Sequence, residues 1–385
     1  MSRVLEYLCK MRFVHISDSH LGASGFSRRL SPSGYNQREE DICNSFASAV
    51  DQIIKLKPDF VLHTGDLFHS VRPTNRIINF AIRQILRIVN RQIPMVIISG
   101  NHDTPKQRSV GSVFSFFDVF SPFLHLVYKN KYERININQT SIHAIPHCLD
   151  QEGFREELAK VRIDQEAKYN ILMLHGVVAG IPEFSMGELS EQEIPTSYFN
   201  LKFDYVALGH YHRHCEVEPG VVYAGSTERI SLSELGQEKG FVEVDLEAQG
   251  SRPKFHPVPT RDMIELPALD AKDLDQDQVY SEIENRIKTI DITDKIARLK
   301  IINIPQHVYN SLDFRKITEL KSKAFHFDLR FEKKEERGKA FVTGTTISKL
   351  PLEFEQYLKQ AVVENLNKDR LLELGLKYLT ERIQD

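Results

Sequence analysis

Five times in 385 residues a short apolar run stops at a residue able to bind a hard metal ion. The runs are FVHIS before Asp18-Ser19-His20, FVLHTG before Asp66, MVIISG before Asn101-His102-Asp103, ILML before His175, and YVALG before His210-Tyr211-His212. A near-continuous series of Val, Ile and Leu reads as a strand buried on both faces. A rigid strand end is the kind of support that fixes a ligand side chain firmly. The five ends offer two carboxylates (Asp18, Asp66), one amide (Asn101), four imidazoles (His20, His175, His210, His212) and no thiolate. That oxygen-and-nitrogen set favours Mn2+, Fe2+ or Zn2+ over a Cys-rich structural zinc, and Mn2+ is the first expectation. In such a centre one carboxylate bridges two ions ~3.5–4 Å apart, so that attacking and leaving oxygens are both stabilised. A single one of these motifs is better explained by a histidine bonded to nearby backbone; five in order point to one pocket.

Helical patterns separate the runs, as in a layered α/β architecture. Residues 38–57 carry Ile42, Phe46, Ala49, Val50, Ile53 and Ile54 at helical spacing and stop before Pro58. A second helix is expected from Pro73-Thr74 to around Arg91; Arg76, Arg83, Arg87 and Arg91 share a face that reads as solvated, and the apolar arc is too wide for one contact. The next apolar stretch, 110–120, holds Val113, Phe114, Phe116, Phe117 and Phe120. This surface either packs within one subunit or meets a second. Pro257, Pro259 and Pro267 punctuate the chain after the last motif, so the expected division is an extension at 1–10, a catalytic domain at 11–258, a small α/β module at 259–348 and C-terminal helices at 349–385. Those helices, expected at 352–366 and 369–383, show a stripe of Leu372, Leu376, Leu379 and Ile383 that either docks a partner or closes the second domain's own core.

The chain is 41% hydrophobic, which supports folded domains. Cys9, Cys43, Cys148 and Cys215 have no CxxC spacing, and no signal peptide or long apolar segment occurs, so a cytoplasmic location without membrane attachment is expected. Whether Met1 or Met11 is the start stays open. A net charge of −3 argues against gripping nucleic acid by bulk electrostatics. Local charge is expected from the loop at 23–37, with Arg28 and Arg29, and from Arg38 after it. No G-x-x-x-x-G-K-(S/T) loop occurs, so any ATP dependence must come from another chain.

The ordered set D-x-H, G-D, G-N-H-D, H and G-H-x-H resembles the signature of the calcineurin-like metallophosphoesterase superfamily. Within it, HISDSHLG, LHTGDLFHS, ALGHYH and YAGSTERIS are similar to the SbcD-type nuclease subunits of DNA double-strand-break repair, strongly so over 11–258. Many phosphatases of the superfamily carry G-D-x-x-D; here the last position is His69, as in the nuclease branch. The resemblance implies a β-sandwich flanked by helices, a smaller α/β capping domain and a C-terminal helical pair. It implies one ion on Asp18, His20, Asp66 and His212, and another on Asp66, Asn101, His175 and His210, with Asp66 bridging. His102 would face the scissile phosphate with Asp103 as a candidate orienting partner; His69 would position the substrate strand or only orient a ligand. The implied activity is Mn2+-dependent 3′-to-5′ exonuclease and single-strand endonuclease action on DNA, with an SbcC-type ATPase partner and a homodimer built on the segments near 73–120. Fe2+, Zn2+ or Mg2+ would be alternative ions. A phosphoesterase for small phosphodiesters, nucleotides or phosphoproteins shares all five motifs, and a metal-site relic acting as a scaffold is the reading from another class.

Overall fold

The computed structural model describes residues 11–26, 29–187, 191–199, 201–247, 250–333, 354–355, 358 and 368–381. The extension at 1–10 and most of the helix expected at 352–366 lie outside the described residues. The chain divides into two compact units, Met1–Glu332 and Lys333–Asp385.

In chain order the first unit begins with β1 (Met11–Ile16), α1 (Gln37–Leu56), β2 (Phe60–Thr64), α2 (Asn75–Val89), β3 (Met95–Ile98), β4 (Leu124–Val127), β5 (Glu133–Ile137), β6 (Thr140–Ala144) and α3 (Gln151–Leu158). It continues with β7 (Tyr169–His175), β8 (Val177–Val178), β9 (Glu193–Ile194), β10 (Tyr205–Gly209), β11 (Cys215–Glu218), β12 (Val221–Tyr223), β13 (Gly240–Glu247) and β14 (Gly250–Pro257). Two mixed six-stranded sheets result, ordered β14-β13-β1-β2-β3-β4 and β11-β12-β10-β7-β6-β5. This is the helix-flanked sandwich expected from the sequence.

Alternation along each strand explains why the runs are apolar throughout. On β1, Phe13 enters the layer between the sheets with Phe60, Leu62, Val96, Ile171, Met173 and Tyr205. Val14 and Ile16 point the other way, under Ile42, Phe46 and Ile53 of α1 and Ile77, Ala81 and Ile85 of α2. On the far side of the second sheet, Leu172, Leu174, Val206 and Leu208 meet Phe154 and Leu158 of α3. Burying such side chains on both faces contributes about 25 cal/mol per Å2 of apolar surface and fixes the strand ends. The helix boundaries follow local chemistry: the Asn36 side chain caps α1, which ends at Lys57 in the left-handed conformation before Pro58, and Thr74 caps α2. The β1, β2 and β3 strands are mutually parallel, as are β7 and β10, and the bond from His210 N–H to Asp18 brings the motif-bearing ends of both sheets to one edge.

Residues after β14 form a second, smaller layer: β15 (Met263–Glu265), β16 (Leu269–Asp270), α4 (Gln276–Thr289), β17 (Ile296–Ile304), α5 (Gln306–Ser311), α6 (Phe314–Lys321) and β18 (His326–Lys333). Its four strands and α4 enclose a core of their own that includes Leu269, Val279, Ile283, Leu299 and Ile301. Arg261 joins it to the larger layer. The guanidinium donates to both Asp41 oxygens on α1 (2.5 and 2.8 Å) and to the Asp294 carbonyl (2.6 Å), and lies 4.1 Å from the Phe325 ring centre.

Of the arginines expected to supply local charge for nucleic acid, Arg38 and Arg29 meet acidic partners. Arg38 is buried, 3.2 Å from Glu228 and 3.4 Å from Asp41, because a guanidinium in the first turn of α1 must be neutralised to be buried at all. Arg29 faces Asp294 at 2.8 Å on the surface. Arg28 lies outside the described residues. On α2 the arginine stripe is a polar face, with Arg83 on Asn79 and Arg87 on Gln84. In the second unit, α7 (Lys368–Glu381) has the Phe354 ring against Gly375, and Leu374 is exposed. Among the described residues no helix is long and apolar enough to cross a membrane.

Candidate metal centre

At the shared edge the chain leaves three of the five strands, β1, β2 and β10, in an unusual conformation. Asp18, His20, Asp66 and His210 all adopt positive φ (48°, 44°, 53° and 97°), which costs a non-glycine residue free energy and is concentrated where function over-determines the backbone. The neighbouring glycines are required by crowding. A Cβ on Gly100 would stand 2.2 Å from Asp66 Oδ1, and one on Gly209 would stand 2.0 Å from the Thr64 carbonyl oxygen.

All seven expected ligand residues converge. His20 Nε2 approaches His212 Nε2 to 2.9 Å. Asn101 Oδ1 lies 2.8 Å from His175 Nε2 and 3.1 Å from His210 Nδ1. Between these two groups sits Asp66 Oδ2, 3.7 Å from His20 Nε2 and 3.5 Å from His175 Nε2, buried and with no hydrogen-bond donor. Asp18, His20 and His212 form one cluster of candidate metal-binding atoms, and Asp18, Asp66 and His175 another. Donors that share an ion at ~2.0–2.2 Å stand roughly 3–3.5 Å apart, so these separations fit divalent metals. A buried carboxylate oxygen that sits between two imidazole groups without a hydrogen bond fits them too, because a cation there would take the place of the missing donor.

The histidines are oriented as ligands. His175 Nδ1 faces the Thr64 carbonyl at 2.8 Å, His212 Nδ1 faces Glu234 Oε1 at 3.1 Å, and His210 Nε2 faces Glu191 Oε1 at 3.2 Å. Each of these acceptors takes the ring proton and leaves the opposite nitrogen's lone pair towards the cluster. The backbone N–H of His210 donates to Asp18 at 3.1 Å, tying the two sheets' ends together. The field favours a cation: burial opposes a charged His175, yet the Asp66 and Asp18 carboxylates prevail and push it up to about 10, so a metal ion would have to displace the Nε2 proton before that nitrogen could ligate. Burial likewise opposes a charged Glu234, but His212 and Lys239 hold it down at about 2.

His69 and His102 stack beside His20, their ring centres 5.2 Å apart, and His102 Nδ1 faces the His69 carbonyl at 3.2 Å. Asp103 is tied elsewhere than to the His102 ring: its carboxylate accepts the backbone N–H groups of Leu67 (2.8 Å), Phe68 (3.4 Å) and Gly100 (2.6 Å). It braces the loop bearing Asp66 against the loop bearing Asn101. Both Asp103 oxygens are thus engaged by backbone amides.

Sequence reasoning missed Glu191, Glu234 and Lys239. Lys239 is fully buried, its Nζ 2.5 Å from Glu234 Oε2 and 2.8 Å from the His212 carbonyl. The only available signal was Ser231-Leu-Ser-Glu234, which reads as a helix capping box and does form one.

A family model described as calcineurin-like phosphoesterase matches residues 11–214. The DNA double-strand break repair protein Mre11 of Methanococcus maripaludis is 33% identical over 235 residues, covering 58% of this chain and 59% of that protein. The protein of the same name from Methanocaldococcus jannaschii is 33% identical over 248 residues (61% and 62%), and that from Sulfolobus acidocaldarius 26% identical over 305 residues (76% and 74%). The chain thus spans about three fifths of the length of the first two relatives.

Proposed function

Because the chain belongs to the calcineurin-like phosphoesterase family, we propose that it is a two-metal phosphodiesterase that cuts DNA, a Mn2+-dependent nuclease of the SbcD type. The observation that carries the metal reading is the orphaned Asp66 Oδ2 between His20 and His175. In this reading Asp18, His20, Asp66 and His212 hold one ion and Asp66, Asn101, His175 and His210 the other. Two such ions would supply Lewis acidity to the phosphate oxygens and an activated water for in-line attack.

The chain's own groups do the rest. The strand ends hold the donors in place before substrate arrives, so little reorganisation is needed during the reaction. His102 stands at the flank of the cluster, where it would stabilise charge on the scissile phosphate or protonate the departing 3′ oxygen. With its Nδ1–H committed to the His69 carbonyl, proton delivery falls to Nε2 of the imidazolium. His69, stacked on His102, would position the strand being cut or orient the neighbouring rings. Asp103 would act as the brace between the Asp66 and Asn101 loops.

The DNA substrate is supported by the names of the relatives and by His69 in place of the phosphatase acid. The module at 259–348 is read as a capping domain that helps select DNA. The apolar arc of α2 packs within the subunit, so the homodimer is supported by the exposed Phe116, Val119 and Phe120, and the exposed Leu374 on α7 supports docking of an SbcC-type ATPase.

The test is degradation of end-labelled single- and double-stranded DNA with Mn2+ and then with chelator, comparing the unaltered chain with His102→Ala and measuring bound metal in both. Cleavage that needs the ion and is lost in His102→Ala with metal content unchanged is the expected result. Absence of DNA cleavage, even with an SbcC-type partner and ATP, together with turnover of small phosphate esters, would assign the site to a small-substrate phosphoesterase.

A further inference from the structure

The bracket behind His212 joins three buried groups. Glu234 uses both carboxylate oxygens: Oε1 accepts from the His212 ring at 3.1 Å, and Oε2 receives the Lys239 ammonium at 2.5 Å. Lys239 then donates to the backbone carbonyl of the same histidine at 2.8 Å. Ring and main chain of His212 are therefore held from opposite ends by one ion pair whose members are 2% and 0% exposed. An ion pair this deep is a costly way to build a loop, and apolar groups would often do as well or better. Its geometry is economical only if the orientation and charge of His212 matter.

The second histidine of the same motif is held differently. His210 reaches the cluster through Nδ1 and gives Nε2 to Glu191, a residue that also accepts from the Ser185 hydroxyl at 2.6 Å and the Met186 N–H at 2.5 Å. Glu234 and Glu191 thus stand behind different donor sets, one beside His20 and the other beside Asn101.

We propose that Glu234 with Lys239, and separately Glu191, are positioning residues that set the affinities of the two ions independently, Glu234–Lys239 governing the ion at His212 and Glu191 the ion at His210. This rests on the two-ion reading above. Glu234→Gln breaks the bracket, because His212 and Lys239 approach opposite carboxylate oxygens and an amide has only one acceptor oxygen. The expected loss is about 10–100-fold in affinity for one ion, the usual effect of removing an outer partner of a ligating imidazole. Glu191→Gln is expected to weaken the other ion.

The experiment titrates metal-free full chain with Mn2+ by calorimetry and by electron paramagnetic resonance of free ion, for the unaltered protein, Glu234→Gln, Glu191→Gln and the double variant Glu234→Gln/Lys239→Met. The double variant carries no uncompensated buried charge, so it separates stability from positioning. Expected is a thermal midpoint near that of the unaltered protein with the His212-side ion still weakened. The inference is overturned if metal affinity returns together with stability, or if both single variants weaken both ions equally. Failure of the unaltered chain to bind two ions at all would instead overturn the two-ion reading.

Discussion

Asp41→Asn should loosen the seam between the two layers of the first unit while leaving the metal cluster intact. Asp41 accepts two bonds from Arg261, at 2.5 and 2.8 Å, and lies 3.4 Å from Arg38. With Glu228 the four side chains balance two positive against two negative charges, and Arg38 and Glu228 are each 1% exposed. Removing one negative charge leaves an unbalanced guanidinium in the seam. Breaking a fully buried pair costs about 3–5 kcal/mol, and since Asp41 and Arg261 are 11% and 16% exposed, water recovers part of it. A loss of about 2–4 kcal/mol is the reasonable expectation. At about 2.1 cal/mol/K per residue, a unit of 332 residues unfolding together has an unfolding entropy of roughly 0.7 kcal/mol/K, so the midpoint should fall by about 3–6 °C. Amide exchange should rise first in β15, β17 and the 259–262 connection, where Arg261 is anchored. Mn2+ stoichiometry should stay as in the unaltered chain. A midpoint shift below about 1 °C with unchanged exchange would show that solvent already screens the cluster and that the seam rests on Phe325 and its apolar neighbours instead.

Four other perturbations test other parts of the molecule. Gly100→Ala drives a methyl to within 2.2 Å of Asp66 Oδ1, so it should abolish ion binding at the bridge; near-normal calorimetric stoichiometry would refute the crowding argument. Saturating the metal-free chain with Mn2+ at 100 times the dissociation constant should stabilise it by about 2.7 kcal/mol per ion, about 4 °C on the same entropy, and fluorimetry with and without chelator measures it. His15, buried between Tyr205 and Thr64, is pushed down to about 3 by burial, then by His214 and His63. The unfolded chain therefore binds its proton near pH 6.5 and the folded chain does not, so this group's stability contribution is fully present above 6.5 and falls by roughly 1.4 kcal/mol per pH unit towards 3; denaturant titrations should show His15→Gln with a shallower acid slope. Changing Phe116, Val119 and Phe120 to Ser should convert a dimer to a monomer in sedimentation, and an unchanged mass would place the interface elsewhere.

What could be read from the sequence divides by the range of the interaction. Asp18, His20, Asp66, Asn101, His175, His210 and His212 were legible because each sits at or within four residues of the end of its strand, and the apolar run that announces the strand also determines which edge the ligand occupies. The helices α1 and α2 were legible for a similar reason: Pro58 and Thr74 act within a turn of the boundary they set. Charge partnership obeys no such local rule. Arg38 looked available for nucleic acid because nothing within a turn contradicts it except Asp41, while its buried partner Glu228 is 190 positions on. Lys239, in a stretch reading ELGQEKG, has the composition of a solvated loop and is in fact among the largest fully buried side chains. Glu234 was hidden by a second, local role, since the capping box accounts for a Glu at that position without reference to His212. The donors of a metal centre are restricted by chemistry to a few residue types at strand ends and so leave a pattern. The groups that orient and neutralise them need only a charge and a route through the packed interior. Buried charges that local pattern leaves unexplained are therefore the places in this fold where the outer half of the site is to be sought.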